Sequence, residues 1–144
     1  MGLFDRLLGS GKKMLASYVN DKPFLAGVCA AAANVIVADG KIEDSEIEAA
    51  LKGMSGHAAL KDSFPGSEIE AALTLAINHA KTRMGKIENQ RAIEALAGRN
   101  SHTREDVFLI AADVADDGGI GPEEKIVLLA IGKLLDVNAM QLLG

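Results

Sequence analysis

The segment from Phe24 to Ile36 is apolar on nearly every side and is rich in alanine. Asp21 and Pro23 precede it, and this order is typical of a helix with an N-cap and a proline in its first turn. We predict a helix that runs from there to about Asp39. A helix that is apolar all round has to be buried among other elements. Since aromatic residues, which sheets favour, make up only 3% of the chain, the sequence predicts an all-α protein around this helix.

Capping residues and glycines divide the rest of the 144-residue chain into further helical segments. Ser67 and Glu70 match the S-x-x-E capping box, and Gly121 followed by Pro122 is typical of a helix start. Further helices are predicted at about 44–54, 67–80, after Gly85 to near Gly98, 103–117, 122–135 and in a short turn after Asn138, with Ile87 and Ile126 among their apolar positions. We predict a single compact bundle of seven or eight helices in residues 21–144.

Residues 1–20 form a separate N-terminal segment whose apolar residues follow helical spacing until a Gly-Ser-Gly interruption. This pattern predicts either a packed helix or a loose amphipathic arm. The basic residues Arg6, Lys12 and Lys13 also fit a weak contact with a membrane surface. We therefore expect at most peripheral membrane contact.

Composition excludes several classes of function. The net charge of −5 and the pI of about 5.2 argue against nucleic-acid binding, which requires a basic face. The single Cys29 excludes a disulfide within the chain, and its apolar neighbours predict a buried thiol. No apolar run reaches the ~18 residues of a membrane span, and no signal-peptide core begins the sequence. The expected compartment is therefore the cytoplasm. No nucleophile elbow, P-loop or dinucleotide motif is present, and no organic cofactor is expected.

Two loops repeat the pattern D-G-x-I-x-x-x-E at a separation of 78 positions, one beginning at Asp39 and the other at Asp117. Each loop lies between an alanine-rich helix and an amphipathic one, which predicts a duplicated helix–loop–helix with units near 23–54 and 104–135. Residues 39–48 contain five acids and one lysine, and residues 113–124 contain five acids and no base. The compensating charge lies in residues 81–104, which hold six basic residues and two acids.

The repeated pattern matches the second half of an EF-hand loop, in which an acid precedes a sharp glycine turn and a glutamate closes the loop. The first half does not match, because its first and third ligand positions fall on Val35 and Val37 in one copy. In the other copy they fall on Asp113 and Ala115, so only Asp113 adds a ligand. The loops are therefore candidate partial oxygen sites for Ca²⁺, Mg²⁺ or Mn²⁺, with the candidate ligands Asp39, Glu43, Glu46, Asp113, Asp117 and Glu124.

Helix capping explains the same repeat without metal. Gly40 and Gly118 would end the first helix of each unit in the left-handed conformation. Glu46 and Glu124 would reach back to the backbone amides of the N-cap residues, Glu43 and Gly121. Capping leaves the remaining aspartates of the loops unexplained, and both interpretations stay open at this point.

The chain resembles the TerB family of tellurite-resistance proteins. The resemblance covers nearly the whole chain and rests on four stretches: the opening Met1-Gly2-Leu3-Phe4-Asp5, the helix from Lys22-Pro23-Phe24 into Ala38-Asp39-Gly40, the second Ala115-Asp116-Asp117-Gly118, and the ending from Glu123-Glu124-Lys125 to Leu134-Leu135-Asp136. It implies an all-helical, non-enzymatic protein of the tellurium and chemical-stress response.

The resemblance also implies partners and a site. Its acidic positions correspond to Asp39, Glu46, Asp117 and Glu124, which would bind a divalent metal. Gly121 and Ala115 make the second loop poorer in ligands than the family pattern. The implied partners are a membrane protein of the TerC type and calcium-binding TerD-like proteins at the inner face of the cytoplasmic membrane. The alternative is a metal-independent interaction module that docks through the acidic loops and the basic segment 81–104.

Overall fold

The computed structural model of the chain describes residues 18–116 and 119–144. In these ranges the chain forms eight helices and no β-strand, which confirms the predicted all-α bundle. Residues 1–17 of the predicted N-terminal arm, and Asp117 and Gly118 of the second acidic loop, lie outside the described residues. The helices are α1 (Lys22–Ile36), α2 (Asp44–Gly56), α3 (Ala58–Lys61), α4 (Gly66–Ala80), α5 (Arg83–Glu94), α6 (Ser101–Ala115), α7 (Pro122–Leu135) and α8 (Ala139–Leu143).

Helix α1 occupies the centre of the bundle, as its apolar circumference predicts. Eleven of its fifteen residues are buried, and it packs mainly against α4, α5 and α6, with further contacts to α7 and α2. Cys29 is fully buried in this helix, and burial raises the pKa of its thiol to about 12. The thiol therefore stays protonated at neutral pH and acts as a small apolar group, as predicted.

Small residues let α1 approach its neighbours closely. Gly27 faces α5 and the turn that follows it, where an added Cβ would overlap the Leu96 side chain and lie 3.0 Å from the Ala92 carbonyl oxygen. The interior of a protein is packed too densely to absorb an extra methyl group at such a contact without displacement. Gly27 is therefore required for the distance between α1 and α5.

The amino-terminal end of α1 is fixed by polar contacts. The Asp21 carboxylate caps the helix by accepting from the Phe24 amide, and it also accepts two hydrogen bonds from the Arg99 guanidinium at 2.7 and 3.0 Å. Tyr18 stacks on Phe24 with ring centroids 3.8 Å apart, and its hydroxyl donates to Asp106 Oδ2 at 2.9 Å. These contacts join the start of α1 to the first half of α6, through Asp106, and to the segment before α6, through Arg99.

Several helix starts differ from the sequence prediction. The predicted capping box at Ser67 is wrong. Pro65 is the N-cap residue, and its carbonyl oxygen accepts from the Glu68 and Ile69 amides. Helix α5 begins before Gly85, not after it, because the Thr82 hydroxyl accepts from the Gly85 amide.

One further helix start, one short helix and one helix end also differ from the prediction. Helix α6 starts at Ser101 because the Asn100 side chain caps it, two residues earlier than predicted. The short α3 was not predicted, and the His57 imidazole caps it by accepting from the Ala59 amide. Helix α1 ends at Ile36 and not near Asp39, and a turn leads from there to Gly40, whose φ is +79°.

Two apolar residues lie on the surface and not in the core. Ile87 on α5 is 48% exposed and Ile126 on α7 is 68% exposed. Helical spacing places both in the apolar faces of their helices, but Gly85, Asn89 and Ile93 form the buried side of α5. These helices therefore carry apolar residues both on the side that faces the core and on the surface of the bundle.

The close contact at Gly27 gives a test of the packing. Gly27→Ala is expected to lower the free energy of unfolding by about 1–3 kcal/mol, because the added methyl group overpacks the α1–α5 contact. Gly53→Ala in α2 is the matched control, since an added Cβ there meets nothing within 4 Å. That control is expected to gain up to about 1 kcal/mol from helix propensity. Urea unfolding followed by circular dichroism measures both, and a Gly27→Ala protein as stable as the wild type would contradict the packing account.

The ion pair at Asp21 predicts a dependence of stability on pH. Hydrogen bonding to Arg99 holds the pKa of the Asp21 carboxyl below its ordinary value of 3.8. A carboxyl whose pKa is lowered by folding contributes its full stabilisation above its unfolded pKa and loses it as the pH falls through the folded value. Asp21→Asn keeps the cap but removes the charge, and is expected to cost about 1 kcal/mol at pH 7. The difference from wild type should shrink below about pH 4; a difference that stays constant down to pH 3 would exclude this role.

Candidate functional site

Helices α1 and α6 lie side by side and run in the same direction. Their first turns meet around Tyr18, which contacts Phe24 of α1 and Asp106 of α6. Their last turns border the same cavity, where Ile36 of α1 lies near Asp113 of α6. Each acidic loop follows one of these helices, so the parallel arrangement brings the two loops to the same end of the bundle. Asp44 and Pro122, the first residues of the helices after the loops, are separated by the same 78 positions as the loop aspartates.

The two loops border one cleft of about 460 Å³ between α1, α2, α6 and α7. Its floor is apolar and includes Ile36, Met54 and Ile110. No lysine or arginine is among the described residues that line it. We call it the acidic cleft, and its ionisable lining residues are Asp39, Glu46, His57, Asp113, Asp116 and Glu124.

The acidic cleft contains four of the six predicted metal ligands, namely Asp39 and Glu46 of the first loop unit and Asp113 and Glu124 of the second. Glu43 is exposed at the N-cap of α2 and is not among the residues that line the cleft. Asp117 lies outside the described residues. The structure therefore places candidate ligands from both repeats in the lining of one cleft, although the sequence analysis treated each loop as its own site.

Part of the capping interpretation is confirmed. Glu124 Oε1 accepts from the Gly121 amide at 2.9 Å, which closes the start of α7. Asp39 Oδ1 accepts from the Lys41 amide at 2.9 Å, and Gly40 adopts the left-handed conformation. A carboxylate offers about four lone-pair positions on two oxygens, so one backbone hydrogen bond leaves it able to attract a cation. Capping and cation binding are therefore compatible at these two residues.

The chemistry of the acidic cleft suits a hard cation. Oxygen ligands from carboxylates are preferred by Ca²⁺, Mg²⁺ and Mn²⁺, and the carboxyl ends of α1 and α6 add partial negative charge. Within residues 18–116 and 119–144, no three His, Cys, Asp or Glu side chains are close enough to ligate one ion directly. An ion bound here would therefore keep part of its water shell, as Mg²⁺ commonly does.

Two residues of the cleft were not among the predicted ligands. Asp116 is the C-cap residue of α6 and is exposed. The surplus of aspartates in the second loop was the signal that could have identified it. His57 follows α2, and no sequence pattern pointed to it, because its place in the lining of the cleft depends on how α2 packs against α6.

Comparisons with known proteins leave the family open. Searches against protein-family models, curated proteins and solved structures find no significant match. The TerB resemblance therefore stays a prediction that rests on the residues quoted for it. In the described part of the chain, no helix combines the length and apolar character needed to cross a membrane.

The two roles of Glu124 can be separated by substitution. Glu124→Ala removes the hydrogen bond to the Gly121 amide and is expected to lower the free energy of unfolding by about 1 kcal/mol. Glu124→Gln keeps an acceptor oxygen at the same position, so its stability is expected to stay within a few tenths of a kcal/mol of wild type. Urea unfolding measures both variants. Equal destabilisation by alanine and glutamine would show that the charge, and not the cap, holds Glu124 in place.

Proposed function

We propose that the chain is a TerB-like, non-enzymatic protein of the tellurite and chemical-stress response that binds a divalent cation in the acidic cleft. The observation that carries the proposal is the convergence of Asp39, Glu46, Asp113 and Glu124 on one cleft. They come from two loops that are separated by 78 positions in the sequence. A single cleft with candidate ligands from both loops accounts for the occurrence of the same pattern in both halves of this chain better than two independent caps do.

Electrostatics supports cation binding at this end of the bundle. Five carboxylates surround the cleft, and the only other ionisable group among its described lining residues is His57. Carboxylates that line one cleft repel one another, and a bound cation reduces that repulsion. Binding a cation is therefore expected to stabilise the folded chain as well as to change the charge of its surface.

The proposed role is that of an adaptor. A cation that neutralises the cleft changes which charged surfaces can approach the loops, and so links the metal concentration to partner binding. The resemblance to the TerB family supplies the proposed partners, a membrane protein of the TerC type and TerD-like proteins at the inner face of the cytoplasmic membrane. Under this proposal the chain itself catalyses no reaction.

The second candidate is a metal-independent interaction module. The hydrogen bonds of Asp39 and Glu124 to backbone amides favour it, because they give both residues a structural role without metal. In this case the acidic cleft binds basic partners directly, and that binding weakens as salt screens the charges. Chelator leaves partner binding unchanged in this second case and abolishes it in the first.

Calorimetric titration tests the cation site. Ca²⁺, Mg²⁺ and Mn²⁺ are titrated separately into the chelator-stripped full chain. The double variant Asp39→Asn/Glu124→Gln removes two charges from the cleft while keeping an acceptor for each backbone amide. We expect saturable binding to the wild type and at least a tenfold weaker affinity in the variant, which corresponds to about 1.4 kcal/mol.

A matched control separates the cleft from the overall charge. Asp62→Asn/Glu70→Gln changes the net charge by the same amount at two exposed residues outside the cleft. Its affinity is expected to equal that of the wild type. Absence of binding at millimolar metal, or an equal loss of affinity in the control, would rule out a cation site in the acidic cleft.

A further inference from the structure

A second surface of the molecule combines basic and apolar side chains. Helix α5 and the residues before it expose Lys81, Arg83, Lys86 and Arg91. Among them Met84 is 77% exposed and Ile87 is 48% exposed. We call these six residues, together with the exposed Ile126 on the neighbouring α7, the basic face.

A shallow groove of about 250 Å³ connects the two helices of the basic face. Lys86 and Gln90 of α5 line one side of it, and Ile126 and Leu134 of α7 line the other. Ile131 is buried at its floor. The exposed Ile126 therefore lies across the groove from Lys86, so that apolar and basic side chains belong to one surface.

The basic face differs from the rest of the chain in charge. The chain carries a net charge of −5, whereas residues 81–91 contain four basic residues and one acid, Glu88. Glu88 is paired with Arg91 at 3.3 Å, and both side chains are at least half exposed. An exposed pair of this kind contributes little to stability. Stability does not explain why these charges are gathered here around exposed Met84 and Ile87.

The combination of residues identifies the chemistry of the partner. Lysine and arginine beside exposed aliphatic side chains on one helix face are typical of helices that lie in the interface of a membrane with anionic lipids. Nucleic acid fits less well, because the basic face has no aromatic side chain on which bases stack. Its aliphatic residues also add nothing to contacts with a phosphate backbone.

We propose that the basic face binds the surface of a bilayer that contains anionic phospholipid. Arg83 and Lys86 contact the headgroup phosphates, and Met84, Ile87 and Ile126 insert below them. This proposal does not rest on cation binding, and its test is carried out in chelator.

Vesicle co-sedimentation of the full chain tests the proposal. Vesicles of phosphatidylglycerol and phosphatidylcholine are compared with vesicles of phosphatidylcholine alone, in EDTA, at low and high salt. We expect binding only to the phosphatidylglycerol vesicles, and weaker binding at high salt because the charges are screened. Arg83→Glu/Lys86→Glu is expected to bind at least tenfold more weakly than the wild type, and Met84→Ser/Ile87→Ser is expected to bind more weakly at both salt concentrations.

The control is Lys52→Glu/Lys61→Glu, which makes the same change in net charge at two exposed lysines of α2 and α3. It is expected to bind like the wild type, and circular dichroism verifies that all variants are folded. Wild-type binding by Arg83→Glu/Lys86→Glu would overturn the proposal, as would equal losses in the control. Failure of the wild type to bind phosphatidylglycerol vesicles would also overturn it. If the wild type instead self-associates, and Met84→Ser/Ile87→Ser abolishes that self-association, the face is assigned to a second copy of the chain.

Discussion

The burial of most of α1 among five other helices is the constraint that arranges the other long helices. Helices α2, α4, α5, α6 and α7 all contact it, and its alanines and Gly27 present little volume between them. Short distances to α5 and α6 follow, because larger side chains would hold these helices apart. With α6 parallel to α1, the chain leaves both helices at the same end of the bundle. The position of the two acidic loops is thus a consequence of how the core packs.

The acidic side chains at the two ends of α1 have different surroundings. At its start, Asp21 is paired with Arg99, and the nearby Arg104 donates to the carbonyl oxygens of Leu135 and Asp136 at the end of α7. At its end, the carboxylates of the acidic cleft have no lysine or arginine among the described lining residues. Asp21 is thus neutralised by a basic side chain of the fold, whereas the cleft gathers carboxylates from both acidic loops at one end of the bundle.

The sequence was sufficient for the helical class and for the starts of α1, α7 and α8, which the structure caps at Asp21, Gly121 and Asn138. At α4 and α5 the predicted start lies too far along the chain, at Ser67 and after Gly85, because Pro65 and Thr82 were not recognised as the N-cap residues. Each acidic loop was identified, but their union in one cleft was not, because local patterns carry no information on which helices pack together. For the same reason Ile126 was placed in an apolar face, although the structure leaves it on the surface.

The most direct test of the shared cleft is paramagnetic broadening of amide signals by Mn²⁺, because the effect depends on distance from the bound ion. The account predicts that signals around Gly40 and around Asp116 and Glu124 broaden together, with the same dependence on a substoichiometric amount of Mn²⁺. Signals around the exposed residue Glu68, at the start of α4 and outside the cleft, should stay sharp. Broadening of one loop without the other, or equal broadening at Glu68, would contradict a single cation site formed by both loops.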